Sequence, residues 1–276
     1  MVDRARSRPP GAAGDRRPAD PTRGAPRALA RASGVLRSLC LYHGVPGRSA
    51  RLRRFYRQFV GPGDLCFDVG AHAGDRTRAL ARLGARVVAV EPQPDFAALL
   101  RVLFRRNPAV TVVGEAVAAV PGELPLFVSS RTPTVTTASG EWLRAVARTA
   151  PFAGVRWDRT CSVRATTLDR LIARHGRPRF CKIDVEGFEA DVLRGLSVPV
   201  EVLSVEVIPA AVDVALACVD RLMELGPYRF NTSLGESLRL CSGEWIDADR
   251  LRAWLKHRPP AASPGDIYAR LRTSAG

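Results

Sequence analysis

One short stretch of this chain constrains its fold more than any other. The apolar run Leu65-Cys66-Phe67 leads into Asp68-Val69-Gly70-Ala71-His72-Ala73-Gly74, a loop with glycines four residues apart. A helix-like segment follows, and a second apolar run at residues 87–90 ends at Glu91. This order of strand, glycine loop, helix, strand and acid predicts a βαβ unit that binds a nucleoside, with Glu91 accepting hydrogen bonds from both ribose hydroxyls.

The spacing within the loop distinguishes between classes of ligand. It is G-x-x-x-G and not the G-x-G-x-x-G of dinucleotide-binding folds, and Asp68 precedes the first glycine. A carboxylate there repels a pyrophosphate but attracts a ligand that carries an amine and a sulfonium. The pattern therefore favours S-adenosylmethionine, with Asp68, Gly70, His72 and Gly74 predicted to contact it. Two alternatives stay open: Asp68 as a cap of the following helix, and His72 as a loop histidine satisfied by backbone groups.

The rest of the chain alternates strand-like and helix-like segments, which predicts an α/β fold with a doubly wound, mostly parallel sheet and helices on both faces. Asp95 is predicted to cap a helix, and residues 186–196 are predicted to be helical. The last two strands are expected near residues 228–231 and 238–241. Residues 129–160, rich in Thr, Ser and Gly, are expected to form an irregular insertion of the kind that often binds ligands.

Four motifs carry a resemblance to a known family. They are Phe67-Asp68-Val69-Gly70-Ala71-His72-Ala73-Gly74, Val90-Glu91-Pro92-Gln93-Pro94, Thr167-Leu168-Asp169 and Lys182-Ile183-Asp184-Val185-Glu186-Gly187-Phe188-Glu189. The chain resembles FkbM-type S-adenosylmethionine-dependent methyltransferases from about Gly61 to Ser233. The resemblance implies a Rossmann-like methyltransferase fold with seven strands. It also implies methyl transfer to a hydroxyl oxygen of a small molecule, a polyketide-type or sugar-containing product of secondary metabolism.

The predicted catalytic residues follow the fourth strand of the sheet, at the carboxyl edge where open α/β folds bind ligands. Asp184 is the first choice for the base that takes the proton of an acceptor hydroxyl, with Glu186 and Lys182 beside it. Alternation along the strand puts Lys182 and Asp184 on one face, so an internal ion pair is the structural alternative. Glu189 is assigned to the first turn of a helix, where the helix dipole stabilises an acid.

Other predicted contacts lie on neighbouring segments. Glu115 and Ala116 follow the third strand, where an acid could bind the adenine amine and a small side chain leaves room for the ring. Glu206, which ends the fifth strand, is the second candidate for the base and a predicted substrate-binding residue. Thr136 and Thr137 in the insertion are also predicted to bind substrate. No Asp, Glu and His pattern in the sequence indicates a metal site.

The net charge of +15 is concentrated at one end of the chain. Residues 1–60 hold 14 Arg and 3 acidic residues, whereas the remainder has 28 basic and 24 acidic residues. We predict a disordered Arg- and Pro-rich tail at residues 1–33, a helical cap at 34–60 and the methyltransferase domain at 61–276. Coding bias and a solvated tail account for the arginines better than a nucleic-acid arm does, but an RNA methyltransferase remains an alternative. A nucleotide-dependent oxidoreductase is a more remote one.

Six scattered cysteines without a C-x-x-C pair indicate neither a zinc site nor a disulfide framework. The N-terminus has no apolar signal region, and no segment is long and uncharged enough to span a bilayer. The sequence therefore predicts a cytoplasmic protein with a small-molecule partner and no membrane partner. It does not predict an oligomeric state.

Overall fold

The structure is a computed structural model that describes residues 24–272 except 148, 150 and 151. Its helices are α1 (Gly24–His43), α2 (Arg48–Tyr56), α3 (Asp75–Ala81), α4 (Pro94–Phe104), α5 (Gly140–Val146), α6 (Leu168–His175), α7 (Glu189–Arg194), α8 (Val212–Leu225) and α9 (Ala248–Lys256). Its strands are β1 (Leu65–Val69), β2 (Arg86–Val90), β3 (Val110–Val113), β4 (Ala116–Val117), β5 (Gly122–Val128), β6 (Arg159–Thr166), β7 (Phe180–Ile183), β8 (Val202–Val207), β9 (Tyr228–Leu234) and β10 (Gly265–Leu271).

Seven of these strands form the central sheet, in the order β3-β2-β1-β7-β8-β10-β9. Neighbours run parallel except at β10, which is antiparallel to both β8 and β9. All five residues of β1 are buried, as expected for a parallel strand that helices cover on both faces. The prediction of a doubly wound, mostly parallel seven-stranded sheet is confirmed.

Helices cover the two faces of the sheet in separate groups. On one face, α2 and α3 pack over Val87 and Phe180, and α4 packs over Ala89. Because Val87 and Ala89 are two residues apart on β2, they point to the same side. On the other face, α6, α7, α8 and α9 pack over a larger apolar cluster that includes Val88 and Val90. The carboxyl edge between these layers stays open for a ligand.

The insertion between β3 and β7 is more regular than the sequence predicts. It contains a second sheet, ordered β4-β6-β5, together with α5 and a 3-10 turn at Pro133–Val135. Trp142 of α5 is 2% exposed, and its ring makes T-shaped contacts with Phe152 and Trp157. The expected irregular segment is thus built around a buried tryptophan, which a composition rich in Thr, Ser and Gly conceals.

The position of the last strand differs from the prediction. Residues 235–245 form an irregular loop, and the strand predicted near 238–241 does not form. Leu238 and Leu240 instead pack against the apolar cluster under α2, which explains the apolar pattern in this segment. The final strand is β10, inserted antiparallel between β8 and β9.

Two predicted helix starts also shift. Helix α4 begins at Pro94 after Gln93, so Asp95 lies in its first turn and is not the cap. Helix α7 begins only at Glu189, because Glu186 and Gly187 have φ of 54° and 86°. Left-handed residues cannot continue a right-handed helix, so residues 184–188 form a loop at the sheet edge.

The structure describes only part of the N-terminal segment for which predictions were made. Residues 1–23 of the predicted tail lie outside the described residues, and α1 already begins at Gly24, before the predicted boundary at residue 33. Residues 34–60 are largely helical, whereas the division into cap and catalytic domain stays a prediction. Among the described residues, no helix is long and apolar enough to cross a membrane.

Candidate functional site

A cavity of about 150 Å³ lies at the carboxyl edge of β1, β2, β7 and β8. Helix α1 and the 3-10 turn of the insertion close it from the other side, through Tyr42 and Pro133. The predicted site residues that line this cavity are Gly70, His72, Glu91, Glu115, Ala116, Thr136, Asp184, Glu186 and Glu206. The other four, Asp68, Gly74, Thr137 and Lys182, lie behind its walls.

The two loop glycines serve different purposes. Gly70 has a φ of 83°, and a Cβ there would overlap the carbonyl oxygen of Asp184, so only glycine lets the loop pass β7 so closely. Gly74 precedes α3 and lies against α4, where a Cβ would fall 2.7 Å from Leu100 and 2.9 Å from Phe104. Gly70 therefore shapes the cavity, whereas Gly74 lets two helices pack together.

Asp68 is 1% exposed and accepts a 2.5 Å hydrogen bond from the Thr77 hydroxyl in α3. Burial raises the pKa of its carboxyl group, although the Thr77 bond opposes this shift. The carboxylate thus ties the end of β1 to the helix that follows the loop. Its predicted contact with the amine of a cofactor stays a prediction.

Glu91 is the best-oriented acid in the cavity. One carboxylate oxygen accepts a hydrogen bond from the His72 backbone N–H and the other from the Gln93 backbone N–H, both at 2.8 Å. Each oxygen keeps a free lone pair for a second donor. Burial raises the pKa of Glu91 to about 7, against the effect of these two hydrogen bonds. A rigid carboxylate with two available lone pairs fits a ribose diol.

His72 forms an aromatic wall next to this carboxylate. Its ring stacks on Phe96 with centroids 4.0 Å apart, and the Tyr42 ring meets its edge at 5.5 Å. Burial lowers the pKa of His72 to about 4, so the ring is neutral at pH 7. Ser38 of α1 lies 3.5 Å from its Nε2 atom. The contribution of α1 has no signal in the sequence motifs.

Glu115 and Ala116 lie on the side predicted for an adenine. Glu115 forms an ion pair at 3.1 Å with Arg174 on α6, and Ala116 is buried at the start of β4. The arginine holds the Glu115 carboxylate at one side, while the small Ala116 side chain leaves space in the wall. These two residues can accommodate a flat ring with a hydrogen-bond donor at its edge.

Three carboxylates meet at the opposite end of the cavity. Oxygens of Asp184, Glu186 and Glu206 lie within 4.8 Å of one another. This spacing would also suit a divalent cation, which the sequence did not indicate because Glu206 comes from a different strand. Burial, followed by repulsion from Asp184, raises the pKa values of Glu186 and Glu206 well above the ordinary range.

Lys182 neutralises one member of this group. Its buried ammonium lies 2.6 Å from an Asp184 oxygen and 3.8 Å from Asp266. Burial disfavours the charged ammonium, but these two carboxylates raise the Lys182 pKa above its ordinary value. Burial likewise opposes ionisation of Asp184, but Lys182 and then Arg76 lower its pKa. Asp184 is therefore a poor proton acceptor, and the ion pair foreseen as the structural alternative is present.

The insertion holds the loop that carries Glu186. Thr137 donates a 2.6 Å hydrogen bond to the Glu186 carbonyl, and the Trp142 ring lies so close to Gly187 that a Cβ there would overlap it. Glu189 accepts hydrogen bonds from the backbone N–H groups of Val185 and Gly187. Sequence motifs missed Trp142. The buried Thr137 hydroxyl is engaged by the Glu186 carbonyl, and its predicted contact with substrate stays a prediction.

A second polar cluster forms part of the cavity rim. Arg76, beside the glycine loop, pairs with Asp75 at 3.3 Å and with Glu236 at 3.2 Å. Arg48 of α2 reaches the same two acids at 2.9 and 3.1 Å. The two arginines and two acids neutralise one another and connect α2, α3 and the loop after β9. The sequence analysis did not single out any of them.

Part of the chain is similar in sequence to known proteins. The model of the methyltransferase FkbM domain matches residues 68–231, more than half of the chain. Ribosomal RNA small subunit methyltransferase A of Phenylobacterium zucineum is 44% identical over 61 residues, which cover 22% of this chain and 21% of that protein. The chain thus aligns with about a fifth of that curated relative.

Solved methyltransferase structures match the chain at low sequence identity. An O-methyltransferase from Bacillus cereus in complex with SAH has a TM-score of 0.44 and 13% identity, covering 87% of this chain and 91% of that one. A precorrin-6y C5,15-methyltransferase from Geobacter metallireducens has a TM-score of 0.43 and 12% identity, covering 82% and 86%. Likenesses at this level carry no conclusion about substrate.

Proposed function

This chain belongs to the FkbM methyltransferase family, with S-adenosylmethionine as its methyl donor, and we propose that it methylates a hydroxyl oxygen of a small molecule. One observation carries the choice of a hydroxyl. The Glu206 Oε2 atom and the Thr136 hydroxyl oxygen are both buried without a hydrogen-bond partner, and both residues line the cavity. An acceptor hydroxyl that donates to Glu206 and accepts from Thr136 would satisfy both groups.

The cofactor is assigned to the end of the cavity that holds Glu91. The anchored Glu91 carboxylate binds the ribose hydroxyls, and the Gly70 turn allows the ligand to approach the backbone. His72 closes one side, and Glu115 and Ala116 bind the adenine. When bound, S-adenosylmethionine supplies an electrophilic methyl group on a sulfonium sulfur. The remaining task of the protein is to align the acceptor and to receive its proton.

Glu206 is a better proton acceptor than Asp184, the residue first chosen from the sequence. A general base needs a free lone pair that faces the acceptor hydroxyl, and the buried Glu206 Oε2 atom has no hydrogen-bond partner. Asp184 is instead held by the Lys182 ammonium, which keeps its pKa low. As the acceptor oxygen bonds to the methyl carbon, its O–H bond breaks and the proton passes to Glu206. The ionised Asp184, held by Lys182, stabilises the protonated Glu206 that results.

The experiment supplies the purified protein with methyl-labelled S-adenosylmethionine and a panel of hydroxylated macrolides, sugars, amines and RNA. We expect label in an ether product, and Glu206→Gln should lower kcat by about a hundredfold or more without weakening cofactor binding. The matched control is Glu201→Gln, the same change beside the start of β8, which should leave kcat unchanged. Label on nitrogen or RNA, or near-normal kcat for Glu206→Gln, would overturn the proposal.

The alternatives have less support. The family match sets aside an oxidoreductase. RNA methylation gains support from a 61-residue match to a ribosomal RNA methyltransferase, but three carboxylates in the cavity would repel a phosphate backbone. A part in secondary metabolism and a cytoplasmic location agree with a small-molecule acceptor and remain part of this proposal.

A further inference from the structure

The face of the sheet covered by α2, α3 and α4 carries an unusual set of arginines. Seven of them are exposed and form no ion pair with any residue in the described part of the chain. These seven, which we call the basic face, are Arg51, Arg54, Arg57, Arg82, Arg101, Arg105 and Arg106. The pKa of nearby Arg78 is lowered, first by burial and then by Arg82, so like charges repel one another here.

The opposite face of the same sheet is balanced. Helices α6–α9 contain seven basic and seven acidic residues, whereas α2–α4 contain seven arginines and two aspartates. Both aspartates already have arginine partners: Asp75 pairs with Arg48 and Arg76, and Asp95 lies 3.9 Å from Arg159. A coding bias towards arginine would act on both faces alike. The imbalance is therefore a property of this surface, and it calls for an anionic partner.

Exposed aliphatic side chains adjoin the basic face and indicate which class of anionic partner it binds. Val102 is 59% exposed on α4, between Arg101 and Arg105. At the junction of α1 and α2, Leu41 and Val45 are 53% and 43% exposed. A nucleic acid gains little from aliphatic groups, since its bases stack on aromatic rings, whereas a lipid surface buries such groups below its headgroups. No large aromatic side chain is strongly exposed among the described residues.

We propose that the basic face docks this enzyme reversibly on an anionic lipid bilayer, with arginines on the lipid phosphates and Val102 inserted between headgroups. No spanning helix is needed for such peripheral binding, although the sequence by itself predicts no membrane partner. The proposal is independent of the acceptor, because the basic face lies on the helices that cover the sheet and not in the cavity.

The test is flotation of the full-length protein with phosphatidylcholine vesicles that contain roughly 30% phosphatidylglycerol, an anionic lipid. We expect binding that weakens as salt rises and is absent with phosphatidylcholine alone. Arg51→Ser, Arg54→Ser and Arg57→Ser combined should weaken binding about a hundredfold, because each arginine near such a surface contributes about fivefold. Val102→Gln keeps the charge and should weaken binding a fewfold.

The matched control removes three exposed arginines from the opposite face, Arg170→Ser, Arg194→Ser and Arg250→Ser. Because both triple variants have the same net charge and the same N-terminus, only a localised surface can separate them. Equal loss in the two triples would show a nonspecific charge effect and overturn the proposal. Failure to bind anionic vesicles at low salt would also overturn it, as would tighter binding to duplex RNA that Val102→Gln leaves unchanged.

Discussion

Glu91→Gln tests whether burial controls the protonation of the acid that follows β2. Glu91 is 4% exposed, and its pKa lies at about 7 instead of the ordinary 4.5. Between these two values the folded chain keeps a proton that the unfolded chain has released. The free energy of unfolding therefore falls as pH rises through this window, and it is unaffected by Glu91 below about pH 4.5.

The magnitude follows from the size of the pKa change. A shift from 4.5 to about 7 corresponds to about 3 kcal/mol of lost stability once Glu91 is ionised in both states. Glutamine keeps the shape and removes the titration. It also leaves one of the two backbone N–H groups, on His72 or Gln93, facing an amide NH₂, which costs about 1–3 kcal/mol at every pH.

Urea unfolding of the cofactor-free protein at pH 4.5 and pH 8 separates these effects. At pH 4.5 we expect Glu91→Gln to have a lower free energy of unfolding than the wild type. At pH 8 the difference between variant and wild type should shift by about 3 kcal/mol in favour of the variant. The control Glu141→Gln changes an exposed carboxylate and should shift stability by less than about 0.5 kcal/mol at either pH. A pH-independent effect of Glu91→Gln would refute the burial argument.

Three further outcomes are expected. Affinity for S-adenosylhomocysteine, measured by calorimetry, should rise up to about tenfold per pH unit towards pH 7 and lose this dependence in Glu91→Gln, because the ionised carboxylate binds the ribose. Lys182→Met should lower the free energy of unfolding by roughly 3 kcal/mol in urea titrations, since Asp184 loses a buried counter-ion; an unchanged midpoint would contradict this. Gly187→Ala should lower the melting temperature and kcat together, because a Cβ there would overlap the Trp142 ring. Adding Trp142→Leu should restore part of both losses if this overlap is the main cause, and should restore nothing if the φ of 86° is.

Much of the fold could be predicted because its signals are local. The buried run of β1, the turn at Gly70 and the acid after β2 are neighbours in the chain, so their order already specifies a βαβ unit. The strand predicted near residues 238–241 failed for the converse reason. Leu238 and Leu240 are apolar because they contact the cluster under α2, and period alone does not distinguish such packing from strand pairing.

The residues of the candidate site could be predicted from the sequence, but the protonation state of each acid could not. Sequence reasoning placed Asp184 and Glu206 on the same rim, yet it could not decide which of them holds a proton. That choice depends on Lys182, whose ammonium reaches Asp184 at 2.6 Å, and on burial of Glu206. The pKa of a carboxyl group responds to desolvation and to charges within a few ångströms, and neither can be read from neighbours in the chain.

By itself, the sequence determined the order of strands and helices, the glycine turn and the acid that follows β2, because covalent neighbours and backbone sterics control each of these. Only the tertiary structure decided that Tyr42 of α1 and Pro133 of the insertion line the same cavity. It also decided that unpaired arginines gather on one face while the other is neutral. Both outcomes depend on which segments the sheet order brings together, and contacts between remote segments follow from packing of the whole chain.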